Sequence, residues 1–87
     1  MKLSELLKNV EITEVHADLD MEIGGISYDS RTTKAGDLFI AIVGFESDGH
    51  KYIPMAVEKG TSVVVCERAP ECDIPYVLVP NSRKALA

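Results

Sequence analysis

The chain has 87 residues, 46% hydrophobic and 26% charged, with 6 Gly and 4 Pro, a balance that suits one small folded domain and excludes a disordered or collagen-like chain. Nine Lys and Arg against fourteen Asp and Glu give a formal net charge of −5, so the overall field repels nucleic acid and anionic membranes, and a bound anion has to be held by local groups. No apolar run approaches the roughly 20 residues of a membrane span, and the start has no signal-peptide core, so the expectation is a cytoplasmic protein without nucleic-acid or membrane partners.

Leu3, Leu6 and Leu7 fall at helical i, i+3, i+4 spacing and predict a short helix, which needs a packing partner because it cannot offset its own nucleation cost. Residues 10–20 read as a connection with room for a short strand. Met21-Glu22-Ile23 alternates, Gly24-Gly25 shifts the phase, and Ile26-Ser27-Tyr28 alternates again, the pattern of a strand containing a bulge. Residues 32–37 form turns ahead of Leu38-Phe39-Ile40-Ala41-Ile42-Val43, an unbroken apolar run that predicts a strand buried on both faces.

A polar loop with glycine at both ends, Gly44 and Gly49, leads into a helix predicted from residue 50 or 51 to residue 59. Pro54 fits its first turn, Ile53, Ala56 and Val57 form its apolar stripe, and Gly60 stands where a left-handed cap belongs. Residues 61–66 read as the next strand, completing a βαβ unit. Residues 67–73 are loop, residues 76–79 a fourth apolar strand, and residues 80–82 open a helix inside which the chain stops, as though cut from a longer protein. The expected fold is therefore α/β: a small three-layer domain with a mixed or mostly parallel sheet around a βαβ unit. Strand order stays open, because the gap from Cys66 to Tyr76 is shorter than a usual helical crossover. Cys66 and Cys72 lack Cys-x-x-Cys spacing and a nearby His, so two reduced, non-catalytic thiols are expected.

Two loops follow apolar strands, Tyr28-Asp29-Ser30-Arg31-Thr32 and residues 44–50. In open α/β sheets ligands collect outside the carboxyl ends of strands, and the second loop runs into a helix start whose free amides favour a phosphate. Gly44 lets the backbone approach closely, Ser30 supplies a hydroxyl, and Arg31 or Lys51 a cation at the rim. From spacing alone, Ser30 and Asp48 read more readily as caps of their own turns. Asp29, Asp37, Asp48 and His50 have metal-ligand chemistry, but acids in turns ordinarily face water or cap, and no metal site is expected. His50 stands with no Ser, Cys or Thr in a nucleophile motif, so no catalytic residue is expected. Phe45 is the aromatic placed to touch a ligand.

Tyr28-Asp29-Ser30-Arg31, then Ala35-Gly36-Asp37-Leu38-Phe39-Ile40-Ala41, then Gly44 with Asp48-Gly49-His50 and Tyr52-Ile53 resemble, in order and in spacing, the amino-terminal domain of the Mur ligases. The resemblance covers residues 23–87. It is greatest to the MurE branch, which adds the third residue of the peptidoglycan stem peptide to UDP-N-acetylmuramoyl-L-alanyl-D-glutamate; the MurF branch, which adds D-alanyl-D-alanine, shares much of the pattern. The resemblance implies an ATP-dependent amide ligase of cell-wall biogenesis, and so of cell shape and division. In that family the first domain holds the UDP end of the substrate, the central domain binds ATP and magnesium, and the last binds the incoming amino acid.

Residues 1–87 are accordingly expected to be the amino-terminal UDP-substrate-binding domain, truncated before the central ATPase domain, inactive alone and binding no cofactor itself. Its expected partners are UDP-N-acetylmuramoyl-L-alanyl-D-glutamate and the central and carboxy-terminal domains of the parent chain. The resemblance places UDP contacts on Tyr28 through its backbone, on Ser30, and on Phe45, Glu46 and Ser47. Without the resemblance, a free-standing phosphate-binding interaction module is the other reading of the same residues.

Overall fold

The structure, a computed structural model, describes residues 1–43, 49–70 and 73–82. Its elements in chain order are helix α1 (Leu3–Leu6), strands β1 (Glu14–His16), β2 (Gly25–Ser27) and β3 (Asp37–Ile40), a 3₁₀ turn (Gly49–Tyr52), helix α2 (Ile53–Glu58), and strands β4 (Val63–Cys66) and β5 (Tyr76–Leu78). They form one five-stranded sheet in the order β1-β5-β4-β3-β2. Strands β2 to β5 pair in parallel, and β1 runs antiparallel to β5 at the edge.

The continuous apolar runs of β3 and β4 follow from burial on both faces. Leu38, Ile40, Val63, Val65 and Val77 point to one side, where Leu3, Leu7 and Ile23 cover them. Phe39, Ala41, Val64 and Cys66 point to the other, against Ile53 and Ala56 of α2. These are the three layers expected from the sequence, with β3–α2–β4 as the βαβ unit. In-register partners fix one row across the sheet, from Ser27 through Phe39, Val64 and Tyr76 to His16. The row ends in a stack of the His16 and Tyr76 rings at 4.6 Å.

Several elements are shorter than the hydrophobic pattern suggests. The strand expected across residues 21–28 pairs only over Gly25–Ser27, while Glu22 bridges Lys2. Its phase also runs against the apolar-inward rule, since Ile26 is half exposed and Ser27 is buried. β2 is an edge strand and four-residue α1 does not cover Ile26; the Ser27 hydroxyl is satisfied by Thr33 Oγ1 at 2.9 Å, which removes most of the cost of burying it. The helix expected up to residue 59 divides into the 3₁₀ turn and six-residue α2. Gly60 has φ +98° and ends it as expected, and its N–H donates to Val57 O at 3.0 Å. Strands β4 and β5 pair in parallel although only residues 67–75 join them. The helix expected after Pro80 falls mainly on residues 83–87, outside the described residues.

Gly49 is where the chain returns to the sheet after β3. Its N–H donates to Ile42 O at 2.8 Å, and a Cβ added there would lie 2.6 Å from Ile42 N and 2.8 Å from Ile42 O. Backbone cannot yield cheaply, so Gly49→Ala should cost about 1–3 kcal/mol of stability, read as a lower denaturation midpoint. Gly24→Ala, whose Cβ would meet nothing nearer than 3.7 Å, is the control; equal midpoints for the two variants would contradict the close approach.

Candidate functional site

The connection leaving β2 folds on one residue, Asp29. Its Oδ1 accepts from the Arg31 N–H at 2.9 Å and from Arg31 Nε at 3.1 Å, and its Oδ2 accepts from Arg31 Nη2 at 2.8 Å. Its carbonyl accepts from the Thr32 N–H and from the Thr32 and Thr33 hydroxyls. Since Thr33 gives its hydroxyl hydrogen to Asp29, it is the acceptor in its bond with Ser27. The chain Asp29–Thr33–Ser27 thus joins the loop to the buried side of β2. From the other side, Lys59 Nζ donates to Arg31 O at 3.2 Å, tying the loop to the end of α2.

Between this loop and α2 lies an open cleft of about 450 Å³, lined by Tyr28, Asp29, Ser30, Arg31, Tyr52 and Met55. It sits at the carboxyl end of β2, the position that an open parallel sheet offers a ligand. The cleft combines an exposed aromatic, Tyr28, with a second at Tyr52 and a bidentate Arg–carboxylate pair. Lys51 Nζ lies 5.1 Å from the centre of the Tyr52 ring, which brings a second cation to this rim. Arg31 is exposed but already committed to Asp29, and that carboxylate raises its affinity for the proton.

Ser30 lines the cleft but is buried, and its hydroxyl donates to Met55 Sδ at 3.4 Å. Sulfur is a weak acceptor, so this is a bond that a better acceptor displaces at small cost. Of the residues singled out from the sequence, Tyr28 and Ser30 come together here, with Arg31 beside them. Phe45, Glu46, Ser47, Gly44 and Asp48 lie outside the described residues. Asp37 accepts from the Lys34 N–H at 2.9 Å and caps its own turn. His50 is turned toward the end of β4, where its Nε2 accepts from Glu67 and Arg68 N–H. Among the described residues no three His, Cys, Asp or Glu side chains converge as a metal site would require. Cys66 is free and buried, and burial pushes its thiol up to about 11, which makes it unreactive at neutral pH; Cys72 is not among the described residues.

Sequence reading missed Tyr52 and Met55 as cleft residues, although their i, i+3 spacing was a signal that they share a face. Thr33 gave no such signal, because its role depends on a buried partner six residues away.

The profile described as "Mur ligase family, catalytic domain" matches residues 22–87 of the chain. The UDP-N-acetylmuramoyl-L-alanyl-D-glutamate--2,6-diaminopimelate ligases of Clostridium tetani and Syntrophomonas wolfei are 45% and 47% identical to it over 100% of its length, covering 19% and 18% of those proteins. The fold is similar to a crystal structure of MurF from Acinetobacter baumannii, with a TM-score of 0.79 at 29% identity, covering 97% of this chain and 18% of that one. The chain therefore spans about a fifth of the length of the curated relatives it matches.

The Asp29 carboxylate is held at about 2, well below the usual carboxylate range, first by the Arg31 side-chain hydrogen bonds and then by the Arg31 backbone N–H. Because its folded value is depressed, the pairing contributes above about pH 4, where an unfolded aspartate is ionised, and is lost as pH falls through about 2. Carboxyl carbon NMR should find Asp29 titrating near 2, and Arg31→Gln should move that midpoint upward. An unchanged midpoint in the variant would remove Arg31 as the cause.

Proposed function

Because the chain belongs to the Mur ligase family, we propose that it is the amino-terminal domain of a MurE-type ligase, and that the cleft beside β2 binds the UDP part of UDP-N-acetylmuramoyl-L-alanyl-D-glutamate. The observation that carries this reading is the meeting of Tyr28 and Ser30 with Arg31, Tyr52 and Met55 in one cleft at the carboxyl end of a parallel strand. An exposed ring suits a nucleobase. A hydroxyl lent to a thioether, with cations at the rim, suits a diphosphate despite the chain's negative net charge. Phe45, Glu46 and Ser47 belong to the same proposed site, as the family pattern places them. Relatives 45%, 43% and 47% identical to the chain carry 2,6-diaminopimelate in their names, which favours the MurE branch over MurF for the parent chain.

In such a ligase ATP phosphorylates the substrate carboxylate, and the amino group of the incoming residue attacks the acyl phosphate. The residues of this chain do not fit ATP or magnesium. The sequence has no Gly-Lys-Ser or Gly-Lys-Thr triplet; Lys59-Gly60 occurs in that order at the end of α2, with Thr61 beyond it, where the helix presents its negative end. No step of the ligation is assigned to these residues. Their part is positioning, in which binding energy at the nucleotide orients a distant reacting end. The central and carboxy-terminal domains of the parent chain are its partners in this reading. Use of ATP and a UDP-linked precursor favours a cytoplasmic setting for such a ligase; among the described residues no helix is long and apolar enough to cross a membrane.

Titration with UDP or UDP-N-acetylmuramic acid should shift the amide signals of Ser30, Arg31 and Tyr52 before those of α1; shifts confined to β1 and α1 would overturn the placement. Ser30→Ala should weaken UDP binding roughly fivefold, about 1 kcal/mol for one hydrogen bond, with little change in melting temperature. A large fall in melting temperature, with affinity lost only through unfolding, would make Ser30 a structural residue instead.

A further inference from the structure

The three methionines of the chain stand in different settings. Met1 is exposed at the amino terminus, where its ammonium group pairs with Glu22. Met21 is partly buried and packs against the core on the α1 side of the sheet. Met55, on α2, is 43% exposed and lines the cleft. Helix α2 is seated on the sheet through Ile53 and Ala56, and Met55 lies off that buried stripe, so its side chain can change chemically without unseating the helix.

The Met55 thioether receives the Ser30 hydroxyl hydrogen at 3.4 Å. Ser30 is only 5% exposed, so its hydroxyl has little access to bulk water and donates to the best acceptor that the cleft brings to it. A thioether is a weak acceptor, which leaves the hydroxyl available to a ligand. It is also a group that a two-electron oxidant converts into a polar sulfoxide, whose oxygen is a much better acceptor. The open cleft of about 450 Å³ has room for the added atom.

We propose that Met55 is an oxidation site that controls the Ser30 hydroxyl: conversion of its thioether to the sulfoxide by a peroxide captures that hydroxyl and weakens anion binding in the cleft. In this step a sulfur lone pair attacks one peroxide oxygen, and the S–O bond forms as the O–O bond breaks. Sulfur loses two electrons and the peroxide gains them; with hydrogen peroxide, the departing hydroxide takes the proton from the transferred oxygen and leaves as water. Methionine sulfoxide reductases, one for each sulfoxide epimer, reverse the change with two electrons from thiols. The loss of affinity for a nucleoside diphosphate rests on the nucleotide reading given above; capture of the hydroxyl does not.

The test is mild hydrogen peroxide treatment of this chain, with peptide mass mapping to follow oxygen addition at Met1, Met21 and Met55. Met55→Leu and Ser30→Ala are treated alongside, so that oxidation at Met1 and Met21 is common to all three proteins. Each protein is compared with itself before and after treatment. UDP affinity should fall about fivefold in the wild type, the worth of one hydrogen bond, and should be restored by the reductases. It should stay at its starting value in Met55→Leu and in Ser30→Ala. By methyl NMR without UDP, the oxidised Met55 side chain should be more ordered in the wild type than in Ser30→Ala.

Full conversion at Met55 with unchanged affinity would overturn the proposal. An equal loss in Ser30→Ala would overturn it too, because the sulfoxide would then act without the hydroxyl. A Met55 that stays a thioether while Met1 is oxidised would remove it as an oxidation site. Absence of UDP binding before treatment, with the Met55 methyl still ordered through Ser30 after it, would overturn the nucleotide reading and support the capture.

Discussion

Burial of β3 and β4 on both faces is the constraint from which the rest of the structure follows. Val63, Val64, Val65 and Cys66 are all buried, and each aliphatic side chain placed there contributes about 1.5–3 kcal/mol of transfer free energy. A strand apolar on two sides has to be central, with layers above and below, so α1 and α2 fall on opposite faces and β1 and β2 are left as edges. The parallel pairing of β2 to β5 then brings the carboxyl ends of four strands to one side of the sheet. The core does not contain the site, but it decides where a site can be.

The loop after β2 shows how a small domain holds a rim without much core beneath it. Asp29 folds the loop through bonds to Arg31, Thr32 and Thr33. The exposed cation is thereby given a position, and Ser30 is placed facing α2. The cost is that Arg31 is shared, since any anion in the cleft competes with Asp29 for the same guanidinium. This arrangement suits modest, orienting binding better than tight capture by an isolated charge.

Polar bonding at the carboxyl ends makes a second framework, separate from the apolar one. Val43, Ser82, Glu67 and His50 link three strand ends through side chains and backbone amides. The Ser82 backbone and hydroxyl hold the Glu67 carboxyl below its ordinary value, so it remains an acceptor at neutral pH. One wall of the cleft is held by the Asp29-centred loop, and the other combines the His50 hydrogen bonds with the packing of Ile53 and Ala56 on the sheet.

Local pattern determined much of this protein. The apolar runs at Leu38 and Val63, and Pro54 and Gly60 at the two ends of α2, carry their reason within a few residues of themselves, whereas Gly49 is required by the close approach of Ile42. The Tyr28-Asp29-Ser30-Arg31 part of the family pattern was legible for the same reason, because that loop folds on its own neighbours. Partners distant along the chain were the province of the tertiary structure. Ser27 is buried because Thr33 accepts from it at the edge of a sheet, and Ile26 is exposed because α1 stops short. His50 stands with no nucleophile motif in the sequence, and it accepts two amide hydrogens because β4 ends beside it, seventeen residues later. Strand order, too, depended on a short parallel connection between β4 and β5 that no periodicity encodes. Periodicity reports which face a residue turns inward, while the identity of what it meets there is set by how distant segments are brought together.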